Sequence, residues 1–308
     1  MFHNNHVKLY VMVFGSVVLL YILSFQGQQK APENLRQDHQ VSSATGCPKH
    51  ERVTKFNLID KRPLSELTIL QPDPSLALFD GVLTEDEKKL KFTAQMGEDR
   101  WALSTFFRNF RNGFYVELGA IDGLKYSNSH VFQEQFGWRG VLIEPSEHFQ
   151  KLRVNPRCLN GGAICLNLAI CDSWRTADFV TGGASEAGGL QETMTRYHER
   201  NSFGKSKKIV QVPCGPMGDV LKLAGVKRID FFTIDVEGAE IYIVDTMDWE
   251  NIPVHVVIIE RHKQDENTER MDRILLQSGF KYYGKIGINV IWVNPKNARP
   301  ADSNDSFK

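Results

Sequence analysis

Two stretches have residue types and spacing that could do chemistry: Val116-Glu117-Leu118-Gly119-Ala120-Ile121-Asp122-Gly123 and Val141-Leu142-Ile143-Glu144-Pro145. The first is an apolar run ending in a glycine-spaced turn. The second is an apolar run that stops abruptly at an acid, 27 positions after Glu117. A strand that runs into such a turn lets backbone approach a ligand, and a second strand ending in a carboxylate can accept bonds from two ribose hydroxyls. The turn reads E-x-G-x-x-x-G and lacks the glycine cluster that seats a pyrophosphate on a helix N-terminus. A ligand with a ribose but no phosphate fits this pattern, and S-adenosylmethionine is the candidate. The expected cofactor contacts are Glu117, Gly119, Asp122, Gly123 and Glu144, with an Asx-turn as the competing role for Asp122.

A second group of polar residues follows later apolar runs. Asp235 and Glu237 come after Ile229 to Ile234, and Glu260 and His262 after Val254 to Ile259. In an open α/β sheet the carboxyl edge is where ligands bind. Methyl transfer needs an acceptor oxygen in line with the methyl group and often a base for its proton. Asp235, Glu237 and His262 are the candidate catalytic groups, Asp235 also facing the cofactor. Glu237 could instead cap the following helix, and His262 could be a solvated loop residue. Ala169, or its neighbour Ile170, is placed to line an adenine pocket, with core packing an equally good role. Asp235, Glu237 and Glu260 could hold a divalent metal, but carboxylates two apart need not point the same way, and no metal is assigned.

Alternating strands and helices must position these groups. Strands are expected at Phe114 to Leu118, Gly140 to Ile143, Ile164 to Ile170, Ile229 to Ile234 and Val254 to Ile259, with a closing pair at Phe280 to Lys285 and Asn289 to Val293. Helices are expected at Ser127 to Phe136, Met217 to Ala224, Glu240 to Thr246 and Thr268 to Ser278, and helical spacing over Leu83 to Arg111 is broken at Gly97. Continuous apolar strands separated by helices predict an α/β fold, Rossmann-like, with a mostly parallel sheet covered on both faces and an antiparallel closing pair. The Gly-rich insertion from Thr181 to Tyr197 reads as a lid or acceptor loop offering Met194, Tyr197 and His198.

Bulk properties narrow the setting. In 308 residues, 42% of them apolar, Lys+Arg and Asp+Glu balance at 37 each, so no nucleic-acid partner is expected. Leu9 to Phe25 is an uncharged apolar run that reads as a single membrane-spanning signal anchor. The expected organisation is a cytoplasmic tail at 1–8, the anchor at 9–25, a polar stem at 26–50, an extension at 51–89, the catalytic domain at 90–297 and a tail at 298–308. Charge around the span places the domain in the lumen of the Golgi or endoplasmic reticulum. Five cysteines (Cys47, Cys158, Cys165, Cys171, Cys214) are compatible with that compartment, with Cys158 to Cys171 as a possible clip.

Tyr115 to Gly123, Gly137 to Pro145 and above all Ile229-Asp-Phe-Phe-Thr-Ile-Asp-Val-Glu-Gly-Ala-Glu240 resemble the FkbM-type methyltransferases. The resemblance spans about residues 90 to 295. It implies a class I S-adenosylmethionine-dependent enzyme that methylates hydroxyl groups. The membrane-anchored arrangement resembles an animal, Star-like branch linked to secretory trafficking. Bacterial members usually carry Lys where this chain has Thr233. The expected function is O-methyl transfer to a hydroxyl, with a glycan as acceptor. A non-catalytic membrane adaptor on the same fold is the alternative: the retained acids weigh against it and Thr233 for it. A soluble small-molecule methyltransferase would require that Leu9 to Phe25 not be an anchor.

Overall fold

The computed structural model describes residues 7–14, 17–24, 71–182, 186–194, 202–261 and 264–299. The central sheet is built from β1 (Phe114–Leu118), β2 (Arg139–Ile143) and β3 (Ala163–Leu166) on one side. Four further short or peripheral strands follow in the chain: β4 (Ala169–Ile170), β5 (Arg175–Thr181), β6 (Gly189–Leu190) and β7 (Lys208–Gly215). The central sheet then resumes with β8 (Ile229–Ile234), β9 (Val254–Glu260), β10 (Lys281–Ile286) and β11 (Asn289–Val293).

The central order is β10-β11-β9-β8-β1-β2-β3. Pairings from β9 through β3 are parallel, while β11 runs antiparallel to both β9 and β10. The chain lays β2 and β3 on one side of β1 and β8 and β9 on the other, so the winding reverses at β1/β8, and a ligand crevice is expected at the carboxyl ends there. The predicted mostly parallel sheet with an antiparallel closing pair is what forms.

Both faces of the sheet are buried, which is why the strands read as continuous apolar runs. One face packs Val116, Phe232 and Val257 beneath α5 (Met217–Leu223), α6 (Glu240–Thr246) and α7 (Glu266–Gln277). The other packs Tyr115, Phe231 and Val256 against α1 (Glu98–Ala102), its π-helical continuation Leu103–Phe107, and α2 (His130–Phe136). There Phe107 meets Trp138 edge-on at 4.9 Å and Phe231 at 5.7 Å.

Several elements differ from the sequence reading, each for a local reason. The helix expected from Leu83 is irregular until Glu98, because Asp99 accepts the Thr93 and Ala94 N–H groups at 2.7 and 3.1 Å and holds them extended. The helix expected from Ser127 begins at His130, since Ser127, Asn128 and Ser129 donate to Glu117 instead. The expected third strand breaks at Asn167, whose amide donates to the Glu144 carbonyl at 2.8 Å and turns the chain out of the sheet. Past that break, β4 joins a second sheet of order β4-β7-β5-β6 that the sequence reading does not contain.

Disulfides join Cys158 to Cys165 and Cys171 to Cys214, correcting the Cys158 to Cys171 pairing, and Cys47 lies outside the described residues. At the N-terminus, Val7–Phe14 and Val17–Ser24 pair as an antiparallel hairpin where a single spanning helix is expected. Five valines in these strands (Val7, Val11, Val13, Val17, Val18) favour extended backbone. Among the described residues no helix is long and apolar enough to cross a membrane.

Candidate functional site

Sheet register assembles the site. Side chains two apart on a strand share a face, and Thr233 is level with both Glu117 and Ile258. Glu117, Thr233, Asp235 and Glu260 therefore line up on one side of the carboxyl edge, with Asn289 beside Glu260. Above this edge opens a cavity of about 570 Å³, within the range of small-ligand sites. Glu117, Gly119, Glu144, Ala169, Asp235, Glu237 and Glu260 all line it.

Gly119 is required by contact as well as conformation. Its φ is +74°, and an added Cβ would fall within 3.0 Å of the Asp235 carbonyl oxygen. The turn after β1 thus closes directly onto the end of β8. Both Gly119 and Ala120 donate their N–H groups to the Ile143 carbonyl at 3.1 Å, tying the same turn to β2.

Glu144 is only 5% exposed, yet its carboxylate is held by two backbone donors: Ile121 N–H to Oε2 and Ser146 N–H to Oε1, each at 2.8 Å. Burial pushes its pKa up against the bonds from Ser146 and Ile121, which favour the charged form. The Ser146 side chain bonds the same carboxylate, which lines the cavity wall. Leu168, Ala169 and Ile170 form an apolar wall nearby.

Glu117 has a different role from a direct ligand contact alone. Its carboxylate accepts from Ser127 Oγ and Asn128 N–H, both at 2.9 Å, and from Ser129 Oγ. Arg157, missed in the sequence reading and buried on α4 (Pro156–Leu159), completes the cluster. It donates to Gly123 O at 2.6 Å, Ser127 Oγ at 2.8 Å and Ser129 Oγ at 2.6 Å, with Glu117 at 4.0 Å. The adjacent Cys158–Cys165 bridge fastens α4 to β3. An isolated Arg in a polar stretch carries no periodic signal, so only the fold reveals this hub.

Asp122 and Gly123 are not among the cavity-lining residues. Asp122 Oδ1 accepts from the Leu124 and Lys125 N–H groups at 2.9 and 2.8 Å, the Asx-turn alternative. Burial opposes these bonds, but the Lys125 and Leu124 donors prevail and its pKa is lowered. Gly123, at φ +82°, lies against Leu152 of α3 (Phe149–Leu152) and Asn155. His262 is outside the described residues.

The carboxyl edge of β8 and β9 is strongly acidic. Carboxylate oxygens of Asp235, Glu237 and Glu260 lie within 4.8 Å of one another. Glu237 adopts φ +59° in the tight turn before α6, where Glu240 accepts the Gly238 N–H at 3.0 Å. Burial, then the charges of Asp235 and Glu240, push the Glu237 pKa up to about 8. Burial, then Asp235 and Glu237, raise Glu260 as well. Two apparently separate sequence signals thus meet at one point. The Gly-rich insertion contributes Glu186, Ala187, Gly188 and Leu190 to the cavity wall, and Glu186 pairs with Lys125. Met194 is buried against Val180 and Phe203, and Tyr197 and His198 lie outside the described residues.

A doubly covered sheet with this strand order, a glycine turn at the switch point and an acid ending the second strand define a Rossmann-like methyltransferase fold. Residues 117–282 match the model of the methyltransferase FkbM domain, and the chain belongs to that family. Similar solved structures include the methyltransferase FkbM of Methylobacillus flagellatus KT (12% identity, TM-score 0.34, 72% of this chain and 50% of that one). This chain thus spans half the length of that protein. Others are the fibrillarin pre-rRNA processing protein of Methanococcus jannaschii (12%, TM-score 0.38, 71% and 87%) and a SAM-dependent methyltransferase of Aquifex aeolicus (12%, TM-score 0.26, 61% and 83%). No curated protein sequence matches this chain.

Proposed function

We propose that this chain is an S-adenosylmethionine-dependent O-methyltransferase acting on a glycan hydroxyl in the secretory pathway. The observation that carries the cofactor reading is Glu144. Its carboxylate is fixed by the Ile121 and Ser146 N–H groups at the cavity wall, at the end of the second strand where a carboxylate can accept from ribose hydroxyls. Gly119 lines the same cavity, and the Leu168 to Ile170 wall suits an adenine. When bound, S-adenosylmethionine supplies an electrophilic methyl group.

The chain's own residues orient and deprotonate the acceptor. Asp235, Glu237 and Glu260 face the cavity where a hydroxyl would enter. A carboxylate with a pKa near 8, as at Glu237, is matched to holding or receiving a proton close to neutral pH. No Lys, Arg or His is among the described residues lining the cavity, which favours a neutral, hydroxyl-rich acceptor over an anionic one. Two disulfides support a non-reducing compartment. The apolar Leu9 to Phe25 segment is the proposed membrane attachment, checked by resistance of the full chain to alkaline carbonate extraction.

Calorimetric titration of S-adenosylmethionine into the full chain tests the central reading. Micromolar binding is expected, weakened about 10- to 100-fold in Glu144→Gln, since losing a charged acceptor of two hydrogen bonds costs about 1.5–3 kcal/mol. No binding by a folded chain would transfer the assignment to the non-catalytic adaptor.

A further inference from the structure

The acidic edge of β8 and β9 carries more than the methyl-transfer reading uses. Its three carboxylates come from three different backbone settings: Asp235 just past β8, Glu237 in the turn before α6, and Glu260 as the last residue of β9. Their oxygens nevertheless converge to within 4.8 Å. Oxygen ligands 2.0–2.6 Å from one ion are spaced on this scale.

An independent observation points the same way. Thr233, one pleat below Asp235, is 2% exposed, and its Oγ1 has no hydrogen-bond partner among the described residues. Buried hydroxyls are almost always satisfied. This one lines a small cavity of about 20 Å³, together with Asp235, Glu260 and Asn128. Asn128 Oδ1, also buried, likewise has no partner among the described residues. The cavity is large enough for a single water-sized species. The Asp235 and Glu260 carboxylates, the Thr233 hydroxyl and the Asn128 amide oxygen are hard oxygen donors at this cavity, which Glu98, Asn289 and Met96 also line.

We infer that Asp235, Glu237 and Glu260, with the Thr233 hydroxyl beneath them, form a binding site for one hard divalent cation of the Mg²⁺, Mn²⁺ or Ca²⁺ type. The site does not depend on the methyl-transfer reading. If both hold, the cation sits where an acceptor hydroxyl would enter. A water in the small cavity with a proton shared between Asp235 and Glu260 is the competing arrangement, and saturable Mn²⁺ binding separates the two.

Mn²⁺ alone is the probe, titrated into the full chain and followed by electron paramagnetic resonance. One saturable Mn²⁺ per chain is expected, with affinity falling about tenfold or more in Asp235→Asn and Glu260→Gln as ligand charge is lost. Thr233→Val preserves shape and removes no side-chain hydrogen bond among the described residues, so it should melt like the parent while binding Mn²⁺ severalfold more weakly. Melting curves of all variants report folding separately. Absence of saturable Mn²⁺ binding by the parent chain, or equal affinity in Asp235→Asn and Glu260→Gln, overturns the site. S-adenosylmethionine calorimetry in excess EDTA reports on the cofactor reading separately, so either can fail without the other.

Discussion

Replacing Gly119 by alanine isolates the contact on which the site is built. Alanine at positive φ costs about 1–2 kcal/mol wherever it occurs, because Cβ crowds the following carbonyl. Gly97 measures that cost alone: its φ is +83°, and an added Cβ there would meet nothing within 4 Å. At Gly119, φ +74°, the same Cβ would also press on the Asp235 carbonyl oxygen. That neighbour is backbone at the end of a buried strand and cannot swing aside as a side chain would. Overpacking of this kind adds about 1–3 kcal/mol. Gly119→Ala should therefore lose about 2–5 kcal/mol and Gly97→Ala about 1–2. Urea unfolding of the two variants beside the parent measures the difference. Gly119→Ala should also weaken cofactor binding, since a shift of this turn carries the Ile121 N–H away from Glu144. Equal destabilisation by the two substitutions would refute the argument that Gly119 exists to let β1 and β8 close together.

Two other expectations concern the rest of the domain. Peptide mapping without reduction should recover the Cys158–Cys165 and Cys171–Cys214 links; removing the second, with its sequence separation of 43 against 7, should cost more, about 4 against about 2 kcal/mol by loop entropy. His255 is 3% exposed among Phe106 and Phe107, and burial lowers its pKa from 6.5 to about 4, so it folds neutral. Below pH 6.5 the unfolded chain takes up the proton first, and stability should fall by about 1.4 kcal/mol per pH unit down to about pH 4. Between pH 6.5 and 5, His255→Phe should lose about 2 kcal/mol less than the parent in urea unfolding, and identical losses would contradict a buried neutral imidazole.

Much of this molecule is written in local patterns. Apolar runs of strand length determined β1, β2, β8 and β9 and the acids Glu144, Asp235 and Glu260 at the ends of the last three, because a strand buried on both faces is predominantly apolar until it leaves the sheet. The left-handed glycine after β1 was legible for the same reason: a turn onto the ligand edge leaves no room for a side chain. What the tertiary structure alone decided are relations between segments distant in the chain. Register across β1, β8 and β9 brings Glu117, Thr233 and Ile258 level and makes one acidic point of Asp235, Glu237 and Glu260. Competition for hydrogen bonds turned Ser127 to Ser129 from a helical start into the grip on Glu117, and gave Asp122 to its own turn. Arg157, the two disulfide partners and the second sheet follow likewise from which surfaces meet, and no periodicity along a single chain records that.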